Sequence, residues 1–275
     1  MTLPDPRTAL DRLAGAETLL VCMDFDGTIC PLGTDAYAVT PDPRALAALE
    51  TLAGLPGTGV AILSGRHLDG LRRVCPLGPP VTLVGSHGAE PASGGPTLSD
   101  DDRAYLARIQ DELSPLIDAH PSAFIEIKPY QRVLHVAKLA AADPDTAASL
   151  LARAREIPTD GRPVTPGHNV LEFSAVDITK GTWLVAEKTR YAATLFAGDD
   201  VTDETALEVL DTGAGAGASA GPDVGVKVRP AKASGAAAPA ACSTTATAAS
   251  HQLGSVAEVA DFLTELAAAR QSARG

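Results

Sequence analysis

The sequence predicts an α/β fold in which a parallel sheet carries helices on both faces and an α+β domain is inserted into the chain. Short apolar runs at residues 18–23 and 59–63 end abruptly in polar residues, as buried strands of parallel sheets do. Helical stretches separate these runs, and such alternation predicts right-handed βαβ units. The alternation stops after residue 90 and resumes near residue 180, which indicates an insert.

The first part of the core contains three predicted strands. A short amphipathic helix over 5–16 precedes the strand at 18–23, which ends in DFDGT. A helix over 42–54 begins with a proline signal and stops at a glycine. The strand at 59–63 ends in SGR, and the strand at 81–84 ends in GSHG after a helix over 67–75.

The insert is predicted to have an α-β-β-α-β order. A long helix over 99–119 precedes a hairpin whose strands are 124–128 and 132–139. Asp143 is a plausible N-cap for a helix over 143–156, and 170–174 is strand-like.

The second part of the core returns to strand–helix alternation. Its predicted elements are helix 180–190, strand 192–197, helix 202–210, strand 224–228 and helix 256–269. Residues 230–250 lack large apolar side chains, so a mobile loop is expected there. The predicted domains are therefore a core formed by 1–88 and 173–275, and an insert over 89–172.

Charge and apolar pattern exclude several classes of function. The chain has 22 Lys and Arg against 34 Asp and Glu, a formal net charge of -12, which argues against nucleic acid as a partner and against charge-driven lipid binding. Its apolar runs fall far short of the ~20 residues of a membrane span. The first residues lack the cationic start of a signal peptide, so a cytoplasmic location is expected. The cysteines at 22, 30, 75 and 242 form no CxxC pair and are expected to be isolated, partly buried thiols.

Aspartates cluster after two of the predicted strands. In open α/β sheets, ligands bind beyond the carboxyl ends of the strands, where DFDGT, SGR and GDDVTDE would meet. Side chains two apart in an extended segment point the same way, so Asp24 and Asp26 can face one site. The aspartates concerned are Asp24, Asp26, Asp199, Asp200 and Asp203. Together they would repel without a cation, and an all-oxygen set suits magnesium, which indicates phosphoryl chemistry. Each cluster could instead serve a solvated turn or a helix N-terminus.

A phosphate site also needs hydrogen-bond donors and positive charge. Ser64 and the backbone of Gly65 lie between a strand end and a helix start, where N–H groups favour anions. Lys180 begins a helix after the sheet resumes, and its alternative is an ordinary surface lysine.

DFDGT, SGR, the lysine of TKG and GDDVTDE, in this order, resemble the haloacid-dehalogenase-like (HAD) phosphatases over the whole chain. That resemblance implies a Rossmann-like HAD core, with the insert as its cap domain. The segments LVGSHGAE, EIKPYQRVLHVAKL, NVLEFSAVDITKGTWL and FAGDDVTDETAL are similar to the trehalose-6-phosphate phosphatase family within it. FSAVDITKG lacks the Arg-Pro and the following Gly that this family has before the lysine. HVAKL stands where an arginine is more usual, and KVRPAKASG replaces a shorter Gly-rich link.

The resemblance implies a role for each core residue. Asp24 would be the nucleophile and Asp26 the general acid and base. The carboxylates of Asp24 and Asp199 and the backbone carbonyl of Asp26 would hold Mg²⁺. Ser64 would hydrogen-bond the phosphoryl group, and Lys180 would offset charge between Asp24 and the phosphate. The carboxylates of Asp200 and Asp203 would orient Lys180 or a metal-bound water.

Sugar recognition is expected from groups that can bind hydroxyls. The candidates are Arg66, His87, Glu126, Lys128, His135 and Glu172; Gly65, whose backbone is expected at the phosphate, is the remaining predicted substrate-binding residue. Glu126 and Lys128 could instead lie on a solvated strand face, His135 could pack under the hairpin, and His87 could shape a hinge.

The implied reaction is hydrolysis of trehalose 6-phosphate through an aspartyl-phosphate, as the last step of trehalose biosynthesis. A sugar phosphate is the expected partner, together with a functional link to a trehalose-phosphate synthase and a monomeric state. The alternatives are a phosphatase for another sugar phosphate, such as sucrose 6-phosphate or mannosylphosphoglycerate, and an inert regulatory module that binds sugar phosphates.

Overall fold

The computed structural model describes residues 3–33, 35, 37–167, 169–213, 221–229 and 246–274. The chain forms two compact units. The core unit comprises Met1–Gly94 and Ile178–Gly275, and the insert unit comprises Gly95–Asp177. The sequence predicted the insert at 89–172.

The helices and strands before the insert are α1 (Leu10–Gly15), β1 (Leu19–Met23), α2 (Pro43–Ala53), β2 (Thr58–Leu63), α3 (Leu68–Val74), β3 (Thr82–Gly85) and β4 (Glu90–Pro91). The insert unit contains α4 (Asp100–Ile117), β5 (Phe124–Ile127), β6 (Gln131–His135), α5 (Ala137–Ala142), α6 (Pro144–Arg155), β7 (Val164–Gly167) and β8 (Val170–Ser174). The chain continues with α7 (Lys180–Lys188), β9 (Ala193–Gly198), α8 (Glu204–Leu207), β10 (Val224–Val228), β11 (His251–Leu253) and α9 (Val256–Arg274).

The core unit is built on a seven-stranded sheet in the order β11-β10-β9-β1-β2-β3-β4. All neighbouring strands are parallel except β3 and β4. Strand β1 is buried along its whole length, and its last residue, Met23, pairs with Ile62 of β2 and Ala197 of β9. Asp24 therefore leaves the sheet between the ends of these two strands, where ligands of such sheets bind.

Helices cover both faces of this sheet, because successive residues of β1 point to opposite sides. On one face, Leu19 and Val21 pack in a cluster with Leu49 of α2 and Leu263 of α9. On the other face, Leu20 packs in a second cluster with residues of α7 and α8. The predicted α/β class is confirmed.

The insert unit is a four-stranded antiparallel sheet in the order β5-β6-β8-β7. One face packs against helices, with Leu134 and Phe173 in a cluster with Ile109 of α4 and Leu150 of α6. Asp143 is the N-cap of α6, since its carboxylate accepts a hydrogen bond from the Thr146 amide (3.0 Å). The predicted N-cap is confirmed, and the unit has the predicted α+β character.

Three details differ from the sequence predictions. The strand predicted over 132–139 ends at His135, and the alanine-rich α5 follows, because alanine favours helix over strand. The helix predicted over 202–210 is a 3₁₀ turn at Val201–Asp203 followed by the short α8. Strands β4, β7 and β11 were not predicted; β7 is an edge strand that contains a proline, which sheets tolerate only there or at bulges.

The remaining sequence predictions concern the loop, the cysteines and the membrane. Most of the predicted mobile loop, 230–245, lies outside the described residues, as does Cys242. Cys22, Cys30 and Cys75 are free thiols and fully buried, more so than predicted. Among the helices of the described ranges, none has the length and apolar character needed to cross a membrane.

Candidate active site

Asp24 follows β1 and is 5% exposed. Its Oδ1 accepts a hydrogen bond from the Lys180 ammonium (2.5 Å), and its Oδ2 accepts one from the Thr28 hydroxyl (3.2 Å). Lys180 is 2% exposed, so the alternative of an ordinary surface lysine is wrong. Thr28 was not among the predicted site residues, although the DFDGT motif contains it.

Lys180 is the first residue of α7, whose N-cap is Thr179. Its Nζ donates to Asp203 Oδ1 (2.6 Å) as well as to Asp24. Burial lowers the pKa of Lys180, but the attraction of Asp203 and Asp24 outweighs it and raises the pKa above its ordinary value. Lys180 therefore stays charged between two carboxylates.

Asp203 and Asp200 have different environments. Asp203 is fully buried, and its Oδ2 accepts from the Asp200 amide (2.9 Å) while its Oδ1 faces Lys180. The exposed Asp200 carboxylate accepts from the Val201 amide (2.7 Å) and caps the 3₁₀ turn. Of the two carboxylates expected to orient Lys180 or a metal-bound water, Asp203 contacts Lys180 and Asp200 caps the turn.

The buried carboxylates form a compact cluster. Asp24, Asp199 and Asp203 each offer an oxygen within 4.8 Å of the others. Burial raises the pKa of Asp24 to about 7, with Lys180 opposing the rise and Asp203 adding to it. Burial, followed by the charges of Asp24 and Asp203, raises the pKa of Asp199 to about 8. These carboxylates are costly to ionise together, and a bound cation would relieve that cost.

The carboxylate cluster is an all-oxygen set, which suits a hard divalent cation. Both oxygens of Asp203 accept hydrogen bonds, and so do both oxygens of Asp24, whose donors are Lys180 and Thr28. The hydrogen bonds therefore do not decide which of these carboxylates would hold a metal. Gly27 has φ +81° and its Cα approaches Asp199 so closely that a Cβ would lie 2.2 Å from Oδ2. The glycine of DFDGT is therefore required on both grounds.

Asp26 lies on the same loop as Asp24, but its carboxylate is paired with the guanidinium of Arg66. Its two carboxylate oxygens accept hydrogen bonds from Arg66 Nε (2.6 Å) and Arg66 Nη2 (2.6 Å). The sequence suggested that Arg66 binds substrate; in the structure its guanidinium holds the carboxylate of the predicted general acid.

Ser64 lies at the end of β2, buried, and its backbone is tied to the segment that follows β3. The Ser86 amide donates to the Arg66 carbonyl (2.7 Å), and the His87 amide donates to the Ser64 carbonyl (2.9 Å). The ring of His87 lies against Gly65. This brings the predicted residues Ser64, Gly65, Arg66 and His87 together on the core unit.

Ser86 and His87 have φ of 47° and 54°, a strained left-handed conformation for residues with side chains. Glu90 holds this segment, since its carboxylate accepts from the Ser86 hydroxyl (2.5 Å) and from the Leu68 amide (3.0 Å). The GSHG motif alone did not indicate this conformation, and Glu90, which bonds to it, lies four residues after Ser86.

The four candidates of the insert share one face of its sheet. Directly opposed residues of antiparallel strands point the same way, so Glu126, Val133 and Glu172 form one row. Lys128 and His135 lie two residues along their strands from members of this row. This is the face opposite the helices of the insert unit.

Two polar side-chain pairs form on that face. Lys128 Nζ donates to Glu172 Oε2 (2.9 Å), and both side chains are at most 10% exposed. His135 Nε2 lies 2.9 Å from Glu126 Oε2, and its ring stacks on Phe124 with centroids 4.6 Å apart. The alternative of a solvated strand face does not hold for Lys128.

Comparisons with known proteins agree with one another. The family model described as trehalose-phosphatase matches residues 22–244. The trehalose-phosphate phosphatase of Mycolicibacterium paratuberculosis is 35% identical over 231 residues, covering 77% of this chain and 57% of the relative. A bifunctional trehalose-6-phosphate synthase/phosphatase of Thermoproteus tenax is 29% identical over 214 residues, covering 73% of this chain and 28% of the relative. The chain thus spans little more than half of the first relative.

Solved structures show the same fold. The C-terminal domain of Candida albicans trehalose-6-phosphate phosphatase has a TM-score of 0.75 at 20% identity, covering 97% of this chain and 98% of that one. Aspergillus fumigatus trehalose-6-phosphate phosphatase has a TM-score of 0.64 at 24% identity, covering 98% and 99%.

Proposed function

The chain belongs to the trehalose-phosphatase family, and we propose that it hydrolyses trehalose 6-phosphate to trehalose and phosphate. One observation carries the chemical part of this proposal. Lys180 Nζ lies 2.5 Å from Asp24 Oδ1 and 2.6 Å from Asp203 Oδ1, at the carboxyl end of the central strand. A buried carboxylate with its charge offset in this way is suited to attack phosphorus.

Asp24 is the proposed nucleophile. One carboxylate oxygen attacks phosphorus and forms an acyl-phosphate bond while the bond between phosphorus and the sugar oxygen breaks. Attack requires an ionised carboxylate. Burial opposes ionisation of Asp24, and Lys180 favours it. Ser64 and the backbone of Gly65 are proposed to bind the phosphoryl oxygens.

Asp26 is the proposed general acid and base. It donates a proton to the leaving sugar oxygen in the first step. In the second step it takes a proton from the water that attacks phosphorus of the acyl-phosphate, which releases phosphate and regenerates Asp24.

Magnesium is the proposed cofactor, held by the carboxylates of Asp24 and Asp199 and by the backbone carbonyl of Asp26. The raised pKa values of the two carboxylates support this, since they reflect acidic groups buried close together. When bound, the ion supplies positive charge that offsets the charge of the phosphate.

Sugar recognition is proposed for the insert unit, with Lys128 and Glu172 favoured, Glu126 next, and His135 and the core residue His87 as further candidates. Carboxylates and an ammonium group on one sheet face can donate to and accept from sugar hydroxyls, and buried polar partners discriminate strongly between ligands. We also propose a functional link to a trehalose-phosphate synthase, because one relative is described as combining both activities. A monomeric state, a cytoplasmic location and the domain boundaries at 89 and 172 stay predictions.

The test is phosphate release from trehalose 6-phosphate with Mg²⁺ and with a chelator. Glucose 6-phosphate, sucrose 6-phosphate and mannosylphosphoglycerate are assayed beside it. We expect fast release from the trehalose ester, lost with the chelator and restored by Mg²⁺. Faster release from another member of the panel would overturn the substrate, and no release from any member by the folded protein would favour the inert binding module.

A further inference from the structure

We propose that Arg66 is a positioning residue that holds the Asp26 carboxylate in place for the proton transfer in which Asp26 acts as a base. This inference rests on the proposed function, because it takes Asp26 as the general acid and base. It differs from the expectation drawn from the sequence, in which Arg66 contacts the substrate.

The contact itself is a two-point clamp. Arg66 Nε donates to Asp26 Oδ2 and Nη2 donates to Oδ1, each at 2.6 Å. The side chain of Arg66 is 14% exposed and that of Asp26 is 30% exposed. Two parallel bonds from a planar guanidinium fix both the position and the plane of a carboxylate, which a single ammonium cannot do.

The clamp has a rigid base. The Arg66 carbonyl accepts from the Ser86 amide (2.7 Å), and the Arg66 amide donates to Ser64 Oγ (3.2 Å). Ser86 is in turn held by Glu90. The guanidinium carbon lies 5.7 Å from the centroid of the Phe25 ring. The strained segment after β3 is thereby connected to the orientation of Asp26.

The two aspartates of DFD are each paired with a different positively charged side chain, and these two side chains come from different parts of the chain. Asp24 is bonded to Lys180 from α7, and Asp26 is bonded to Arg66 from the loop after β2. This arrangement keeps the two carboxylates separately oriented although they are two residues apart. Proton transfer requires that the Asp26 carboxylate lie within about 1 Å of its productive position. Loss of the contact with Arg66 should therefore lower kcat more than it weakens substrate binding.

The experiment is a double-mutant cycle on trehalose 6-phosphate with Arg66→Gln, Asp26→Asn and the double variant. Arg66→Gln should lower kcat about 100-fold with little change in KM. In the Asp26→Asn background, the same substitution should change kcat by no more than about twofold, because there is no carboxylate left to position. Arg66→Lys should recover part of kcat. Arg72→Gln, which removes an exposed arginine paired with Asp69 on α3, is the control and should behave as wild type.

Two results would overturn the proposal. A KM raised about tenfold or more by Arg66→Gln would assign Arg66 to the substrate. Equal losses of kcat in the presence and absence of the Asp26 carboxylate would show that Arg66 acts independently of it.

The proposed function can fail separately. If trehalose 6-phosphate is not hydrolysed, the cycle is run with p-nitrophenyl phosphate. A readout that needs no turnover is the Arg66 Nε–H resonance in ¹H–¹⁵N spectra, assigned by its disappearance in Arg66→Lys. It should be present in the wild type with chelator and shift or broaden in Asp26→Asn; a signal unaffected by Asp26→Asn would refute the clamp.

Discussion

Asp24 and Asp26 have the same side chain and lie two residues apart, but their surroundings differ. Asp24 is nearly fully buried beside Lys180, Asp199 and Asp203, which is the environment of a group that must stay fixed. Asp26 is partly exposed and held by Arg66, which suits a group that exchanges protons with a leaving group and with water. The two proposed roles thus follow from two different environments.

Substitution of the nucleophile should separate chemistry from folding. Asp24→Asn keeps the shape of the side chain but cannot form an acyl-phosphate, so we expect turnover to fall by at least about 1,000-fold. Circular dichroism should show an unchanged fold. Asp69→Asn, an exposed aspartate on α3, is the control. Turnover near that of the wild type in Asp24→Asn would contradict the assignment.

The buried carboxylates also predict how stability depends on pH. With a chelator present, the pKa values of about 7 for Asp24 and about 8 for Asp199 mean that the folded protein keeps protons that the unfolded chain has released above about pH 4. The melting temperature should therefore fall as the pH rises from 5.5 to 8. Added Mg²⁺ should raise it more at pH 8 than at pH 5.5, since metal and protons compete for these oxygens.

Thermal melts of the wild type and Asp199→Asn check this. The variant removes one of the two carboxyl groups whose pKa is raised, so its melting temperature should fall less steeply as the pH rises. A wild-type melting temperature that rises from pH 5.5 to 8 in chelator, or identical slopes in the two proteins, would contradict the prediction.

At the scale of elements, a buried arginine of α9 links this helix to the end of α1 and to the turn before β2. Arg270 is fully buried, and its Nε donates to the Thr58 hydroxyl (2.6 Å). Its Nη1 faces the carbonyls at the end of α1, the shortest bond being to Ala16 (2.9 Å), and its Nη2 donates to the Gly57 carbonyl (2.9 Å). Helix ends leave such carbonyls without partners inside the helix, so this side chain satisfies them and the turn before β2 together.

Removing that guanidinium should be costly. Arg270→Met keeps an apolar stem but leaves several buried carbonyls without donors, and we expect a loss of about 3 kcal/mol in the free energy of unfolding. Urea denaturation gives the measurement. The exposed Arg72→Ala should change it by no more than about 0.5 kcal/mol. Equal effects of the two substitutions would show that the Arg270 contacts contribute little.

At the scale of the whole molecule, the proposed function assigns phosphate chemistry to the core unit and sugar recognition mainly to the insert unit. The core unit contains the carboxylates, Lys180 and Ser64, whereas the ion pair of Lys128 and Glu172 lies on the helix-free face of the insert sheet. In this proposal, the groups that would bind phosphate lie on the core unit and the groups that would select the sugar lie mainly on the insert unit.

Lys128→Ala tests that division. It should lower kcat/KM for trehalose 6-phosphate about tenfold or more, because a buried partner of Glu172 and a donor to hydroxyls are lost. Hydrolysis of p-nitrophenyl phosphate, which has no sugar, should be unchanged. Lys138→Ala, an exposed lysine on α5, is the control. Equal losses on both substrates would remove Lys128 from sugar recognition.

The sequence by itself determined five of the six parallel strands of the core and the residue types of the candidate site. Apolar runs predicted these strands, and the polar residues at strand ends pointed to Asp24, Ser64 and Asp199, because strand burial and strand ends are local properties. Lys180 was singled out at a predicted helix start. The N-cap at Asp143 was readable for the same reason.

Only the tertiary structure decided which side chains meet. Asp26 and Arg66 are 40 residues apart, and Asp24 and Lys180 are 156 apart, so no local pattern specifies their bonds. The same holds for Arg270 and for the different environments of Asp200 and Asp203. Pairing across such distances depends on how strands register and helices pack, and those are properties of the folded chain.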